Sequence, residues 1–260
     1  AIVRLNTRSS LTAALWTLDQ PPMGVMRRTG LPVALGDGEA VLKGTLAFPL
    51  RRGGSPADVV FDVTGDLVDF NSTQLIKGRS LRAARMALRA SNTGVEIAGK
   101  GTLEGVPFDG RWQQPIGKGA SKSTLRGTAQ ITQKALDAFN VALPPGTLTG
   151  STVAQIGIDF ARGQSPRMTL KSDLRGAALR VPQLGWRKGP KAKGALDMAI
   201  RLGTSPEVTA ISLSGAGLSA RGAITLAQGG GLDTMALSQL RVGNWLDVKA
   251  ALVGRGAGRA

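Results

Sequence analysis

Along most of the chain apolar and polar residues alternate with a period of two, the spacing of strands whose side chains point to opposite faces. In EAVLKGTLAF, residues 39–48, the positions Ala40, Leu42, Leu46 and Phe48 fall on one side, with Glu39, Lys43 and Thr45 on the other. ADVVFDVTG sets Val59, Phe61 and Val63 against Asp58, Asp62 and Thr64. The same parity predicts strands carrying Ala84, Met86 and Leu88; Val95, Ile97 and Leu103; Leu125, Ala129 and Ile131; and Ala154, Ile156, Ile158 and Phe160. It continues through Met168, Leu170 and Leu174; Leu196, Met198, Ile200 and Leu202; Thr209, Ile211 and Leu213; Leu218, Ala220, Ile224 and Leu226; and Leu246, Val248 and Ala250.

Two short segments read as helices. PPMGVMRRTG predicts one over 21–29, with prolines at its entrance and Gly30 as a stop. TQKALDAFNVALPPG predicts another over 133–141, capped by Thr132 and ended by Pro144-Pro145-Gly146. A helix, a glycine turn and a strand thus occur twice. GEAVLKGTLAF from Gly38 pairs with GSTVAQIGIDF from Gly150, Asp66-Leu67 with Asp173-Leu174, and GVEIAGKGTL from Gly94 with GLSARGAITL from Gly217. The separations are 112, 107 and 123 positions (38 to 150, 66 to 173, 94 to 217), so order is kept while loops differ. The expectation is a strongly curved antiparallel sheet, an open β-groove, built from two tandem repeats with two short helices. Residues 1–130 would form the first repeat, including the end of a preceding unit, and 131–260 the second, together one elongated module. Small residues inside the twin strands, Gly99 and Gly101, then Ala220 and Gly222, suit bending or the close approach of another group.

Composition removes most chemistry. The 260 residues include no Cys and no His, so thiolate nucleophiles, imidazole bases, disulfides and the usual zinc ligands are excluded. The 17 acidic residues are scattered singly, and the expectation is a protein that is not an enzyme and needs no cofactor or metal. A formal charge of +16 raises the prospect of an anionic partner. Its densest clusters are Arg27-Arg28, Arg51-Arg52 and WRKGPKAK over 186–193, without the interleaved aromatics of a single-strand nucleic-acid platform. No nucleic acid is expected. No stretch approaches the ~20 apolar residues of a membrane span, and the opening AIVRLNTRSS has no signal-peptide pattern. The chain reads as part of a longer protein with its anchor elsewhere.

Four stretches resemble a known family: LDQPPMGVMRRTGL, the GEAVLKGTLAFPL from Gly38, GKGTLEGVPFDGRW ending at Trp112, and DLRGAALRVPQLGWRK from Asp173 to Lys188. They are similar, in order, to the AsmA-like superfamily, in particular its YhdP-like branch. The resemblance implies an envelope protein of Gram-negative bacteria, anchored in the inner membrane. Its periplasmic body would be made of β-groove repeats that conduct phospholipids toward the outer membrane. It implies no catalytic residues.

The strand faces, rich in Ala, Val, Leu and Met, suit a trough for acyl chains. The expected lining is Leu42, Leu46, Phe48, Val59, Phe61, Val63, Met86 and Leu88, then Ile156, Ile158, Met198, Ile200, Ile211, Leu213, Ile224 and Leu226, all pointing into one apolar channel. Phospholipid acyl chains, anionic headgroups and adjoining repeats of the same chain are the expected partners. The alternatives are a structural or adaptor β-repeat without lipid transport and, more remotely, a basic nucleic-acid-binding domain.

Overall fold

The computed structural model describes residues 1–20, 26–27, 32–47, 49, 59–76, 78–117, 122–141, 143–203, 206–226 and 232–254. The chain is mainly β, 67% strand, antiparallel and not closed into a barrel, a form compatible with a curved open groove. With so little helix available, most of the apolar strand faces must be covered by something other than a helical layer. Contacts divide the chain into two units, Ala1–Ser123 and Thr124–Ala260.

The first unit runs β1 (Ile2–Ser10), α1 (Leu11–Asp19), β2 (Asp37–Ala47), β3 (Val60–Ser72), β4 (Leu81–Ser91), β5 (Gly94–Leu103) and β6 (Val106–Pro115). Its strands lie side by side in sequence order, as short connections between antiparallel neighbours favour.

The second unit contains β7 (Lys122–Thr132), α2 (Gln133–Ala138), β8 (Leu148–Ala161), β9 (Arg167–Ser172), β10 (Ala177–Val181), β11 (Trp186–Lys188) and β12 (Gly194–Arg201). It ends with β13 (Glu207–Gly215), β14 (Leu218–Leu226), β15 (Leu232–Val242) and β16 (Leu246–Val253). Here β9 pairs with β12, while β10 and β11 form a hairpin off the sheet's path, with β10 held on the start of β8.

Both units open with the same device. A strand ends on a hydroxyl residue whose Oγ caps the next helix: Ser10 accepts from the Ala13 N–H at 3.2 Å, and Thr132 accepts from the Ala135 N–H at 3.1 Å. Each cap satisfies one of the free donors of a helix start. The expected helix at 133–141 is thus present but stops at Ala138. The expected helix at 21–29 lies outside the described residues, apart from Met26 and Arg27, which are helical. The helix α1 was not expected from the sequence. Its apolar stripe, Leu11, Ala14 and Leu15, packs on the sheet.

The paired stretches have similar local structure at their start and diverge later. Gly38 and Gly150 both open the strand after the capped helix, with φ of 125° and 78° that suit glycine. The twin glycine stretches each follow a two-residue hairpin turn, Asn92-Thr93 before β5 and Ala216-Gly217 before β14. Their places along the sheet differ: β5 is the fourth strand after α1, whereas β14 is the fifth along the sheet's path from β8. Asp66-Leu67 also differs from Asp173-Leu174: it lies inside β3, which continues to Ser72.

Bulges explain two wrong parities. Pairing between β4 and β5 shifts between Arg82 and Arg85, so Ala83 is buried and Ala84 exposed. The shift in β13 between Val208 and Ile211 likewise buries Val208 and exposes Thr209. One extra residue turns the rest of a strand over.

Candidate functional site

In an antiparallel sheet directly paired residues lie on the same face, so register assigns the candidate lining. In the first unit Leu42 pairs with Gly65, Gly65 with Leu88, Leu88 with Ile97 and Ile97 with Trp112. Leu46 pairs with Phe61, and Val63 with Gly44 on one side and Ala90 on the other. The expected residues of this unit share one face. Two limits apply: Phe48 lies outside the described residues, and Val59 precedes β3 rather than lying in it.

Glycines in these rows stand where backbone comes close. A Cβ on Gly44 would collide with the Asp62 carbonyl, and one on Gly65 with the Val41 carbonyl. On Gly99 it would meet the Met86 side chain at 3.0 Å. Of the glycines singled out in the twin strands, Gly99, Gly101 and Gly222 each stand where neighbouring backbone comes close.

One end of this face is closed by α1. Leu11, Ala40, Leu42, Leu67, Phe70, Ala83 and Met86 form a buried cluster, with Leu5, Ala14, Leu15, Val63, Leu81, Leu88 and Ile97 packed around it. Of the expected lining, Leu42 and Met86 are therefore core residues. Leu46 and Phe61, farther along the strands, are half-buried and belong to no buried cluster.

In the second unit the register is longer. Ile158, Met168, Ile200, Val208, Ile224, Met235 and Leu252 follow one another as direct partners across seven strands. The adjacent row is Ile156, Leu170, Met198, Ile211, Gly222, Leu237 and Ala250. All eight expected residues of this unit lie on this face and all are half-buried. Leu213 packs beside a buried cluster; the other seven belong to neither cluster.

That second cluster consists of Trp186, Leu218, Leu240 and Val242, flanked by Leu179, Val181, Leu184, Leu213, Ala220, Leu237 and Leu246. The β10–β11 hairpin thus covers one end of the face, as α1 does in the first unit. Trp186 donates from Nε1 to the Ala216 carbonyl at 3.0 Å, which ties the hairpin to the β13–β14 turn.

The hairpin is held from below by Lys188, the last residue of the DLRGAALRVPQLGWRK stretch. Only 1% exposed, its Nζ donates to the carbonyls of Leu174 at 2.6 Å, Ala177 at 2.9 Å and Gly189 at 3.2 Å. Burial holds its pKa below the usual lysine value, and the Asp173 carboxylate partly offsets this. The basic cluster at 186–193 is therefore only in part a surface feature. Within it, a buried tryptophan and a buried lysine close a loop.

The opposite face is polar. Lys100 stands directly across from Asp109, Lys171 from Asp197, Arg201 from Glu207 and Arg241 from Asp247, each as an ion pair. Such exposed pairs fix register and solubility more than stability. Asp66 is held below the ordinary carboxylate range by its hydrogen bond to Arg85.

Several lining residues were not in the expected set: Trp112, Met168, Leu170, Met235 and Leu237. Met168 and Leu170 already stood on the apolar parity of their strand, whereas Trp112, Met235 and Leu237 join the face as cross-strand partners of row members, a signal readable only once register is known. Among the described residues no three His, Cys, Asp or Glu gather as metal ligands. No described helix is long and apolar enough to cross a membrane. Comparison with protein-family models, with curated proteins and with solved structures finds no match.

Proposed function

We propose that the apolar sheet faces of the two units hold lipid acyl chains, each face serving as a length of groove along which phospholipids move. The observation that carries this reading is the double row from Ile156 and Ile158 to Ala250 and Leu252. It is a face of aliphatic side chains in register across seven strands, and most of it lies outside both buried clusters. A sheet that packed this face in an ordinary core would bury it as fully as Leu42 or Leu67. The polar charges stand on the other face, so an acyl chain laid along the rows meets no ion pair.

The energetics suit a conduit. Each methylene removed from water contributes ~0.8 kcal/mol, so a whole acyl chain gains on the order of 10 kcal/mol before its ordering costs. Because that gain is spread evenly along a smooth face, no single position traps the chain.

The stretches similar to the AsmA-like superfamily support placing this groove in a YhdP-like envelope protein. There it would be a periplasmic segment of an inner-membrane-anchored chain that carries phospholipids between the inner and outer membranes of a Gram-negative bacterium. Adjoining repeats would extend the groove, and anionic headgroups would find the basic surface at its rim.

The test is direct. A photoreactive residue at Ile158 or Ile200 should crosslink to phospholipid in cells and co-purify with it, whereas one at Lys171, on the polar face, should not. Absence of lipid at all three positions in the folded protein would favour a structural or adaptor role.

A further inference from the structure

Between Asp173 and Lys193 the chain carries six cationic residues and one acid. Lys188 is occupied by three carbonyls, and Arg175 takes the acid, its Nε 3.5 Å from Asp173 Oδ2. Arg180, Arg187, Lys191 and Lys193 remain, all exposed and, among the described residues, without a carboxylate partner. Arg180 of β10 and Arg187 of β11 are direct cross-strand partners. Their neighbours along the strands, Leu179, Val181, Trp186 and Lys188, face the protein, so alternation sends both guanidinium groups outward. Directly opposed residues keep their Cβ atoms ~5 Å apart, where like charges destabilise a ladder.

Elsewhere the sheet neutralises such a contact. Arg85 stands across from Lys100, but it hydrogen-bonds Asp66 at 2.8 Å while Lys100 lies 4.0 Å from Asp109. Arg201 stands across from Arg167, yet it hydrogen-bonds Glu207 at 2.5 Å, and Arg167 has Asp159 opposite it in β8. The hairpin pair has no such counter-charge among the described residues, so the missing member is an anion from outside the chain.

We infer that Arg180 and Arg187 together bind one phosphate group on the outer face of the β10–β11 hairpin. Each guanidinium presents N–H donors in a planar fork that matches phosphate oxygens in pairs. A phosphate has oxygens enough to meet two forks at once, whereas a carboxylate, with two oxygens, is filled by one. The base of the site is fixed, because Trp186 and Lys188 on either side of Arg187 are buried and hydrogen-bonded to the carbonyls of Ala216, Leu174, Ala177 and Gly189. Lys191 and Lys193, on the segment that follows, add positive potential without the fork. The phosphate site stands on the hairpin alone. Its use for the headgroup of a lipid whose tails lie on the neighbouring apolar face rests, in addition, on the lipid reading above.

Titration calorimetry of the 260-residue chain with inorganic phosphate, and separately with dihexanoyl phosphatidylglycerol below its micellar concentration, should show saturable binding at a single site. Tighter binding of inorganic phosphate identifies a free anion as the ligand; tighter binding of the lipid identifies a headgroup. Arg180→Gln with Arg187→Gln should weaken the tighter ligand at least about tenfold. Lys191→Gln with Lys193→Gln removes the same charge from the same neighbourhood and should weaken it less than about threefold. Thermal unfolding separates loss of the site from loss of the fold: the arginine variant should melt no lower than the unmutated protein, since a like-charge contact is gone, and ligand should raise the midpoint of the unmutated protein but not of that variant. Absence of binding to both ligands overturns the inference. So does equal weakening by the two double variants, which shows diffuse attraction to a basic surface. Phosphate binding that needs the two arginines, in a protein that gives no lipid crosslink at Ile158, supports the site and overturns the groove.

Discussion

Leu42, Leu67 and Met86 in the first unit, and Ile158, Ile200 and Ile224 in the second, arise from the same alternation of aliphatic and polar residues. The first three are buried and the second three are not. What separates them is a cover. Leu11, Ala14 and Leu15 of α1 lie on the first set, while the β10–β11 hairpin reaches only the Leu218, Leu240 and Val242 end of the second unit's face. The comparison teaches that an apolar strand face is a core only where another element is laid on it. Among the described residues, the rest of the second unit's face is left half-buried.

The sharpest way to break this contrast is to place one charge in each region. Met86→Asp puts an unpaired carboxylate under α1, and denaturant unfolding should show a loss on the order of 4 kcal/mol or outright failure of the first unit to fold. Removing the second cover is next in size. Trp186→Ala empties the centre of its cluster and leaves the Ala216 carbonyl without its indole donor, so unfolding should cost about 3–5 kcal/mol.

Lys188→Met should cost less, about 1–3 kcal/mol, because the aliphatic stem is kept while three carbonyls lose their donor. This variant also carries a pH signature. Since the folded protein lowers the lysine's pKa, the unfolded chain binds more protons between the lowered value and the ordinary one near 10.5. The stability of the native protein relative to Lys188→Met should therefore rise as pH increases through that window. A relative stability that falls there would show that Lys188 is held more strongly charged than its buried setting implies.

The smallest structural effect is expected where the functional effect is largest. Ile158→Asp and Ile200→Asp leave the carboxylate within reach of water, so stability should change by less than about 1 kcal/mol. Lipid crosslinking and co-purification should nevertheless drop sharply. If these variants unfold like Met86→Asp, the two regions are equivalent and the row is a core.

Much of the fold was legible because period-two alternation is a local property. The mainly antiparallel sheet, the sequential order of most strands, the Thr132 cap and the apolar side of nearly every strand follow from spacing and turn residues. The α1 helix could also have been found: Ser10 stands three residues before Ala13, and Leu11, Ala14 and Leu15 repeat at helical spacing. The strand pattern immediately before it concealed the change of period.

Other features were not in the local text. The bulge that buries Ala83 instead of Ala84 depends on the pairing of β4 with β5, and no window of β4 alone records it. The twin glycine stretches both follow a two-residue hairpin turn, yet they occupy different places along the sheet's path, because the number of strands laid down between helix and stretch, not similarity, sets strand position. Lys188 reads as a surface cation until the chain turns through Pro182–Leu184 and brings three carbonyls around it.

By itself the sequence determined which side of each strand is apolar, since alternation is written residue by residue. Only the tertiary structure decided which stretches of that side are covered, because burial depends on α1 and the β10–β11 hairpin, segments distant in the chain from many of the residues they cover.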